Sequence, residues 1–451
     1  MENLKRNEAM AYHVLPPYGL INDPNGLIHF KGLTHVFFQW NPHNNDHTYK
    51  AWGHAVTKDL VHFDYLEPAL LPEEDYEKNA CYSGSAIEHE GLLYLFYTGN
   101  LKDAEGNRES SQCVAVSEDG FYFEKKGPVI KEIPGYTAHV RDPKIFKEND
   151  TFYMVLGAQR VDLTGDTILF KSSDLFNWTF VGSLIDEKLD LGYMWECPDL
   201  IHFNEKSAFI FSPQGLEPNG EKYRNIYQTG YLTGDFQDET FRPDDLSFRE
   251  MDLGFEFYAP QSFDYKDGRT LLLGWMGIMD PDLEKSLPTI ENNWAHHLTL
   301  FRELSLNESG NLIQKPVREL EAYRVSLDEC KGYAHEKAYE EPLEIRVTFE
   351  KTPADFSLRY GKNLVLTYDL KENSFTVERE NWETKTLEYR KATLNRNLKD
   401  VQIYLDHTSM EIFLNEGEEV FSLRYFEAEG KKDMLIHSNE EMIIHIDNLE
   451  V

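Results

Sequence analysis

Three short stretches of this 451-residue chain place a carboxylate beside a proline: "NDPNG" at residues 22–26, "RDP" at 141–143 and "ECPDL" at 196–200. Taken singly, each is turn chemistry. Pro sets φ, and Asn and Gly tolerate φ > 0, so Asp23 can be read as a turn residue and nothing more. Brought together, Asp23, Asp142 and Glu196 would do more. Crowded like charges disfavour ionisation of at least one member, which leaves an acid and a base side by side at neutral pH. That pair suits a glycosidic bond: the acid protonates the leaving oxygen, and the carboxylate attacks the anomeric carbon. Configuration is retained if the two lie about 5–5.5 Å apart. Ca²⁺ bound by the same carboxylates is the competing chemistry, but the chain has no EF-hand-like loop. No metal-ligand spacing stands out elsewhere, and the reading is of a protein with no metal and no cofactor.

What could bring these residues together is a repeat. Segments beginning at Asn22, Tyr82, Arg141, Glu196 and Tyr258 share one pattern: a small or acidic turn, a short strand, a polar turn and a strongly apolar strand. Their starts are 60, 59, 55 and 62 residues apart, and four of the five carry Pro at the third position, the other Gly84. A half-repeat with an acidic turn at Asp59, Asp119 and Asp174 precedes a further alternating strand. Each unit then has about four antiparallel strands. One such sheet cannot bury both faces, and stacking in a ring solves this. The expectation is an all-β protein: a five-bladed β-propeller over residues 1–310, a linker over 311–335 and a β-sandwich over 336–451. A β-sandwich throughout, with accidental similarity between segments, is the alternative. In a propeller the repeat starts face one central cavity, so Asp23, Asp142 and Glu196 converge from three blades. The aromatics near the starts (Trp40, Trp52, Tyr82, Trp195, Tyr258, Trp275) suit either sugar stacking or packing between blades.

Composition narrows the partners. The net charge is −34, which argues against nucleic acid and against anionic membrane surfaces. No apolar run approaches the roughly 18 residues needed to cross a bilayer. The N-terminal stretch lacks the apolar core of a signal peptide. Cys81, Cys113, Cys197 and Cys330 are widely spaced and read as reduced thiols in a cytoplasmic protein. The adjacent His296 and His297 read as structural. The oligomeric state is not encoded in any feature of the sequence.

"NDPNG", "FFQWNP", "WGHA", "YSGSA", "RDP", "ECPDL" and "FYAPQ" resemble, in order, the motif series of glycoside hydrolase family 32, the β-fructosidases, over about residues 20 to 260. The tail "LDHTSMEIFLNEG" resembles the Asp-x-x-Ser-x-Glu-x-Phe signature of that family's C-terminal sandwich. The resemblance implies a five-bladed propeller plus a sandwich, and a retaining hydrolysis of a fructosyl bond through a fructosyl-aspartate ester. It implies Asp23 as nucleophile, Glu196 as general acid/base, and Asp142 as the residue that holds fructose hydroxyls and steadies an oxocarbenium-like transition state. It places Asn22, Gln39, Tyr82, Ser83 and Arg141 in a fructose pocket, with Trp52 and Trp275 beside them. Binding without catalysis is the remaining, different-class reading.

Two positions depart from the family pattern. Leu20 stands where a Trp is usual, so part of the apolar wall should be smaller. His47 stands where secreted members often have Trp, and its context "HTYKAWGH" resembles the branch of the family that acts on phosphorylated sucrose. A sugar phosphate is a dianion, and at −34 the protein repels it until salt screens the field beyond about 8 Å. Local cations must then hold the phosphate, and His47 and Lys50 are the candidates, with two solvated loop residues as the plainer alternative.

Overall fold

The computed structural model describes residues 9–451 apart from 205 and 429. Residues 19–316 form five sheets of four or five strands, and residues 324–449 form a further ten-stranded sheet. In each of the first five sheets the main strands follow chain order, each antiparallel to the next. The innermost strands are Gly19–Phe30, Ala80–His89, Tyr136–Glu148, Met194–His202 and Tyr258–Asp264, and each contacts the next around a closed ring. This is a five-bladed propeller. The second strands, such as Leu33–Asn41 and Thr151–Arg160, are buried along almost their whole length between neighbouring blades. That explains why they read as continuous apolar runs rather than alternating ones. The ring is tied where Trp294–Ala295, from within the fifth blade's segment, pairs in parallel with Gly19 and Leu20 of the first.

"NDPNG" is not a chain reversal. It lies inside the strand Gly19–Phe30, at a β-bulge where Asn22 and Asp23 together oppose Gln39. The same break in register recurs after Tyr82, Arg141, Glu196 and Tyr258. The residues that signal a turn also suit a bulge, because both need a missing N–H or a tolerance of unusual φ. Pro24, Pro143, Pro198 and Pro260 supply the missing donor. Asp142 and Cys197 take φ of 64° and 46°. In the second blade Gly84 is required, since a Cβ there would lie 1.9 Å from the Phe96 carbonyl oxygen.

The half-repeat is a real turn. Asp59 Oδ1 accepts from the amides of Val61 and His62, Asp119 Oδ1 from those of Phe121 and Tyr122, and Asp174 Oδ1 from those of Phe176 and Asn177. In each case the turn joins the third strand of a blade to its fourth.

Residues 311–335, expected as a linker, are mostly regular structure. Leu312–Pro316 is the outer strand of the fifth blade, Arg318–Tyr323 is a 3₁₀ turn, and Arg324 begins a 16-residue strand of the C-terminal sheet. Its sequence carries no clear strand signal because neither face is buried: only Tyr339 is, while Val325, Leu327 and Tyr333 stand exposed. The C-terminal sheet is one hydrogen-bonded sheet folded onto itself. Its last strand, Lys432–Leu449, pairs with Asp355–Tyr360 near one end and Leu343–Phe349 near the other, so it passes from one layer to the next. Ile345, Leu358, Leu366, Ile403, Ile412 and Ile444 pack between the layers as a sandwich core.

The tail motif "LDHTSMEIFLNEG" joins the two parts. Asp406 accepts from the Ala11 amide (3.0 Å) and from His13 Nδ1 (2.7 Å). Glu411 accepts from His13 Nε2 (3.0 Å), the Leu300 amide (2.8 Å) and Arg302 Nη2 (2.6 Å). Arg302 also donates to Asp252 Oδ2 and lies over the rings of Phe257 and Phe413. All of these charges are buried and mutually satisfied, so removing one partner leaves an uncompensated charge in the interior.

Burial alone would lower the His13 pKa, but its bonds to Asp406 and Glu411 outweigh this and push it up from 6.5 to about 9. A raised pKa means this contribution to stability is complete below pH 6.5 and is lost as pH rises toward 9. His13→Gln should therefore be less stable than the wild type at pH 6, with the gap narrowing by up to about 3 kcal/mol by pH 9. Chemical denaturation across that range would measure it, and a gap independent of pH would contradict it.

Candidate active site

The first residue of each bulge (Asn22, Tyr82, Arg141, Glu196, Tyr258) lines one cavity of about 400 Å³ where the five inner strands converge. The second residues Asp23, Ser83 and Asp142 line it too, while Cys197 and Ala259 face a small neighbouring cavity. A bulge turns two successive side chains away from strict alternation, and five bulges at one level aim ten residues at the axis. Gln39, His47, Lys50 and Trp275 line it as well.

Asp23 Oδ2 accepts from Ser83 Oγ at 2.5 Å, with the Cys197 thiol 3.8 Å from the same oxygen. Burial raises the Asp23 pKa, Ser83 lowers it, Glu196 raises it, and Lys50 and His47 lower it; the net direction is upward. Asp142 Oδ2 accepts from the Cys197 amide at 3.0 Å, and the Asp142 amide donates to Thr98 Oγ1. Burial pushes Asp142 up to about 7, with Arg141 opposing this and Glu196 and Asp23 adding to it. Glu196 sits among donors only: Arg141 Nε (2.9 Å) and Nη2 (2.7 Å) on Oε1, and Gln214 Nε2 (2.7 Å) and the Tyr258 hydroxyl (2.6 Å) on Oε2. Cys197 thus touches all three carboxylates, through its amide, its thiol and its peptide bond to Glu196. Burial and the three surrounding carboxylates raise its pKa well above that of a free thiol, so it remains S–H.

Lys50 is buried in the cavity wall. Its ammonium donates to Asn22 Oδ1 and to His47 Nδ1 (2.9 Å), and burial lowers its pKa to about 8 against the pull of Asp23. His47 in turn bonds Glu284 through Nε2 (3.0 Å). Glu284 also receives His296 Nε2 at 2.8 Å, so His296 steadies the rim of the cavity. Burial would raise Glu284, but these two histidines hold it well below the usual carboxylate range.

Two expectations need correction. Trp52 does not reach the cavity: it is fully buried, packs on Phe37 and donates its indole N–H to the Tyr82 carbonyl (3.0 Å), supporting the wall from behind. Leu20 is also fully buried. It packs with Met279, Leu287 and Trp382, and Met279 is the residue that forms the apolar wall, with Trp275 and Ile278 beside it. Trp52 lies on the third strand, directly opposite Gln39 of the second and one strand farther from the axis, and Leu20 precedes the bulge of the inner strand.

Tyr258, Gln214, Arg108, His139 and Glu284 line the cavity and were not selected from the sequence. Tyr258 had a usable signal, since it is the fifth repeat start. Gln214 and Arg108 lie on second and third strands, where the repeat gives no hint. Glu284 is on a short helix, Pro281–Lys285, that has no counterpart in the other blades. Among the described residues no group of three His, Cys, Asp or Glu side chains is placed to hold a metal ion, and no helix is long and apolar enough to cross a membrane.

A five-bladed propeller with three carboxylates from three blades in one axial cavity holds the acid and base that cleavage of a glycosidic bond needs, and its similarity to known families places it among the glycoside hydrolases. The chain belongs to glycosyl hydrolases family 32: the family's N-terminal domain matches residues 13–316 and its C-terminal domain residues 312–451. The sucrose-6-phosphate hydrolase of Bacillus subtilis is 43% identical over 451 residues, spanning 96% of this chain and 94% of that one. The sucrose-6-phosphate hydrolase of Salmonella typhimurium is 42% identical over 92% of this chain and 88% of its own. Among solved structures, a sucrose-6-phosphate hydrolase from Lactobacillus gasseri superposes with a TM-score of 0.88 at 30% identity, covering 98% of this chain and 93% of that one. The Bombyx mori β-fructofuranosidase, solved as a variant in complex with sucrose, gives 0.87 at 33% identity, with the same coverage of 98% and 93%.

Tyr258→Phe removes one of the four donors on Glu196 and little else. The expected result is a loss of about 10- to 100-fold in kcat/KM, the worth of one hydrogen bond to a charged group, with thermal unfolding shifted by only a few degrees. Activity within twofold of wild type would show that this hydrogen bond does no catalytic service.

Proposed function

We propose that the protein is a retaining β-fructosidase that cleaves sucrose 6-phosphate into glucose 6-phosphate and fructose. The convergence of Asp23, Asp142 and Glu196 in one axial cavity carries the reading. In the first step Asp23 attacks C2 of the fructosyl unit while Glu196 gives a proton to the bridging oxygen. The C2–O bond to the glucosyl unit breaks, its electron pair staying on that oxygen, and a fructosyl–Asp23 ester remains. In the second step Glu196 takes a proton from water, the water oxygen bonds to C2, and the ester C–O bond breaks to return the Asp23 carboxylate. Ser83 and the Cys197 thiol hold the attacking carboxylate in place. Asp142, anchored by the Cys197 amide, takes fructose hydroxyls together with Asn22 and Gln39, and Tyr82 and Trp275 flank the ring.

The phosphorylated substrate is supported by the two bacterial relatives, both sucrose-6-phosphate hydrolases matched over nearly the whole chain. A sugar phosphate is a substrate met inside cells, so cytoplasmic residence goes with this reading. A β-fructofuranosidase acting on plain sucrose or short fructo-oligosaccharides is the second reading, favoured by the Bombyx mori neighbour and its bound sucrose.

Asp23→Ala should lower kcat by roughly 10⁴-fold or more with the circular dichroism spectrum intact. Near-native turnover would sink the nucleophile assignment. Initial rates of the wild type on the two substrates decide between the readings. A kcat/KM at least tenfold higher for sucrose 6-phosphate is expected, and equal values would favour plain sucrose.

A further inference from the structure

If the substrate carries a phosphate, as proposed above, the cavity must hold a dianion, and the first-blade side is poorly suited to it. Lys50 is committed to Asn22 and His47, and His47 is bonded to the carboxylate of Glu284, which itself lines the cavity. A phosphate placed there would meet Glu284 as a like charge.

The opposite side, between the second and third blades, is different. Arg108 opens the strand Arg108–Ser117 and lines the cavity. Its guanidinium rests 5.6 Å from the centre of the Tyr82 ring and reaches the Tyr82 hydroxyl at 3.5 Å. Among the described residues no carboxylate comes within ion-pair distance of it, whereas Arg141, the other arginine of the cavity, is bound to Glu196. Lys102 stands directly opposite Arg108 in the antiparallel register. Like charges at directly opposed positions destabilise a strand pair, and the arrangement becomes favourable when an anion lies between them. His139, beside Arg141, feels the same field. Burial lowers its pKa to about 4, and Arg141, Arg108 and Lys102 all contribute in that direction. On a chain of net charge −34, Arg108 and Arg141 place two cations in the cavity wall, with Lys102 paired to Arg108 just outside it. Arg108 also lines a neighbouring cavity of about 730 Å³ between the same two blades, whose other charged lining residues are Glu109, Lys131 and Glu132, and which gives a leaving group room to extend.

We infer that Arg108, assisted by Lys102 across the strand pair, binds the phosphate of the leaving glucosyl unit and sets the preference for phosphorylated over plain sucrose. The planar guanidinium suits bidentate contact with phosphate oxygens, and Tyr82 lies beside it at the edge of the cavity. His47 and Lys50 then serve the fructosyl side, by orienting Asn22 and balancing the charge of Asp23.

The test is steady-state kinetics of the full-length wild type, Arg108→Gln and Lys102→Gln on sucrose 6-phosphate and on sucrose. For Arg108→Gln the ratio of the two kcat/KM values should collapse by on the order of 10- to 100-fold, the worth of a charge-assisted contact. Glucose 6-phosphate should weaken as a product inhibitor by a similar factor. Lys102 is exposed, so Lys102→Gln folds without difficulty, and it should lower the ratio by a smaller factor of about two to five. A wild type that prefers sucrose 6-phosphate alongside variants that keep that preference overturns the assignment to Arg108 and leaves the substrate reading standing. Equal losses on both substrates would also overturn it, marking Arg108 as part of the wall. A wild type with no preference removes the substrate reading itself.

Discussion

Everything at the centre of this molecule depends on one constraint: five inner strands must break their pairing at the same height. A regular strand sends alternate side chains to opposite faces. At each bulge two consecutive residues oppose one partner, and both are turned toward the axis. Four prolines and Gly84 enforce the break, the prolines because they cannot donate to the ladder and the glycine because nothing larger fits beside the Phe96 carbonyl. Asp142 and Cys197 hold positive φ at the same place. Such backbone costs on the order of 1–3 kcal/mol per residue and persists only where the surroundings over-determine it. Here the blades packed on both sides supply that determination.

Charge is the second consequence. Three carboxylates driven into a small cavity repel one another and lose water. The structure answers with Arg141 on Glu196, Lys50 near Asp23, and neutral donors from Ser83, Gln214, Tyr258 and the Cys197 amide. The donors differ between the carboxylates, so the three become chemically distinct although they arise from equivalent repeat positions. Cys197, between Glu196 and Pro198, links the three physically.

The C-terminal sheet has no constellation of its own, yet it shapes the cavity. Trp382 packs against Leu20 and Met279 and its indole N–H lies 3.4 Å from the Leu283 carbonyl, bracing the short helix that carries Glu284. The buried network of His13, Arg302, Asp406 and Glu411 keeps the two parts in one relation. The motif in the tail of the chain therefore sits at the interface, where each buried charge needs its partner.

Much of this was legible in one dimension. The 60-residue period implied the blades, since a four-stranded sheet with two apolar faces has to stack. The repeat starts marked the axial residues, since equivalent positions in a ring share one centre. Tyr258 belonged to that series and could have been selected on the same ground. The linker was misjudged because Arg324–Tyr339 buries only Tyr339 and has no apolar face to set an alternation. Trp52 and Leu20 were placed wrongly, Trp52 because the third strand lies one strand farther from the axis than its partner Gln39, and Leu20 because it precedes the bulge. Glu284 carries no local sign of its place in the cavity, and the motif around Lys50 does not show that its ammonium is spent on Asn22 and His47, for such a contact is a distance between side chains that no short motif records. The sequence by itself determined the chemistry available: three carboxylates at repeat starts, the residues that allow a bulge, and the cations that could balance them. Tertiary structure decided which of those groups meet, which are spent on one another and which stay free, because burial and through-space charge depend on packing that local sequence does not specify.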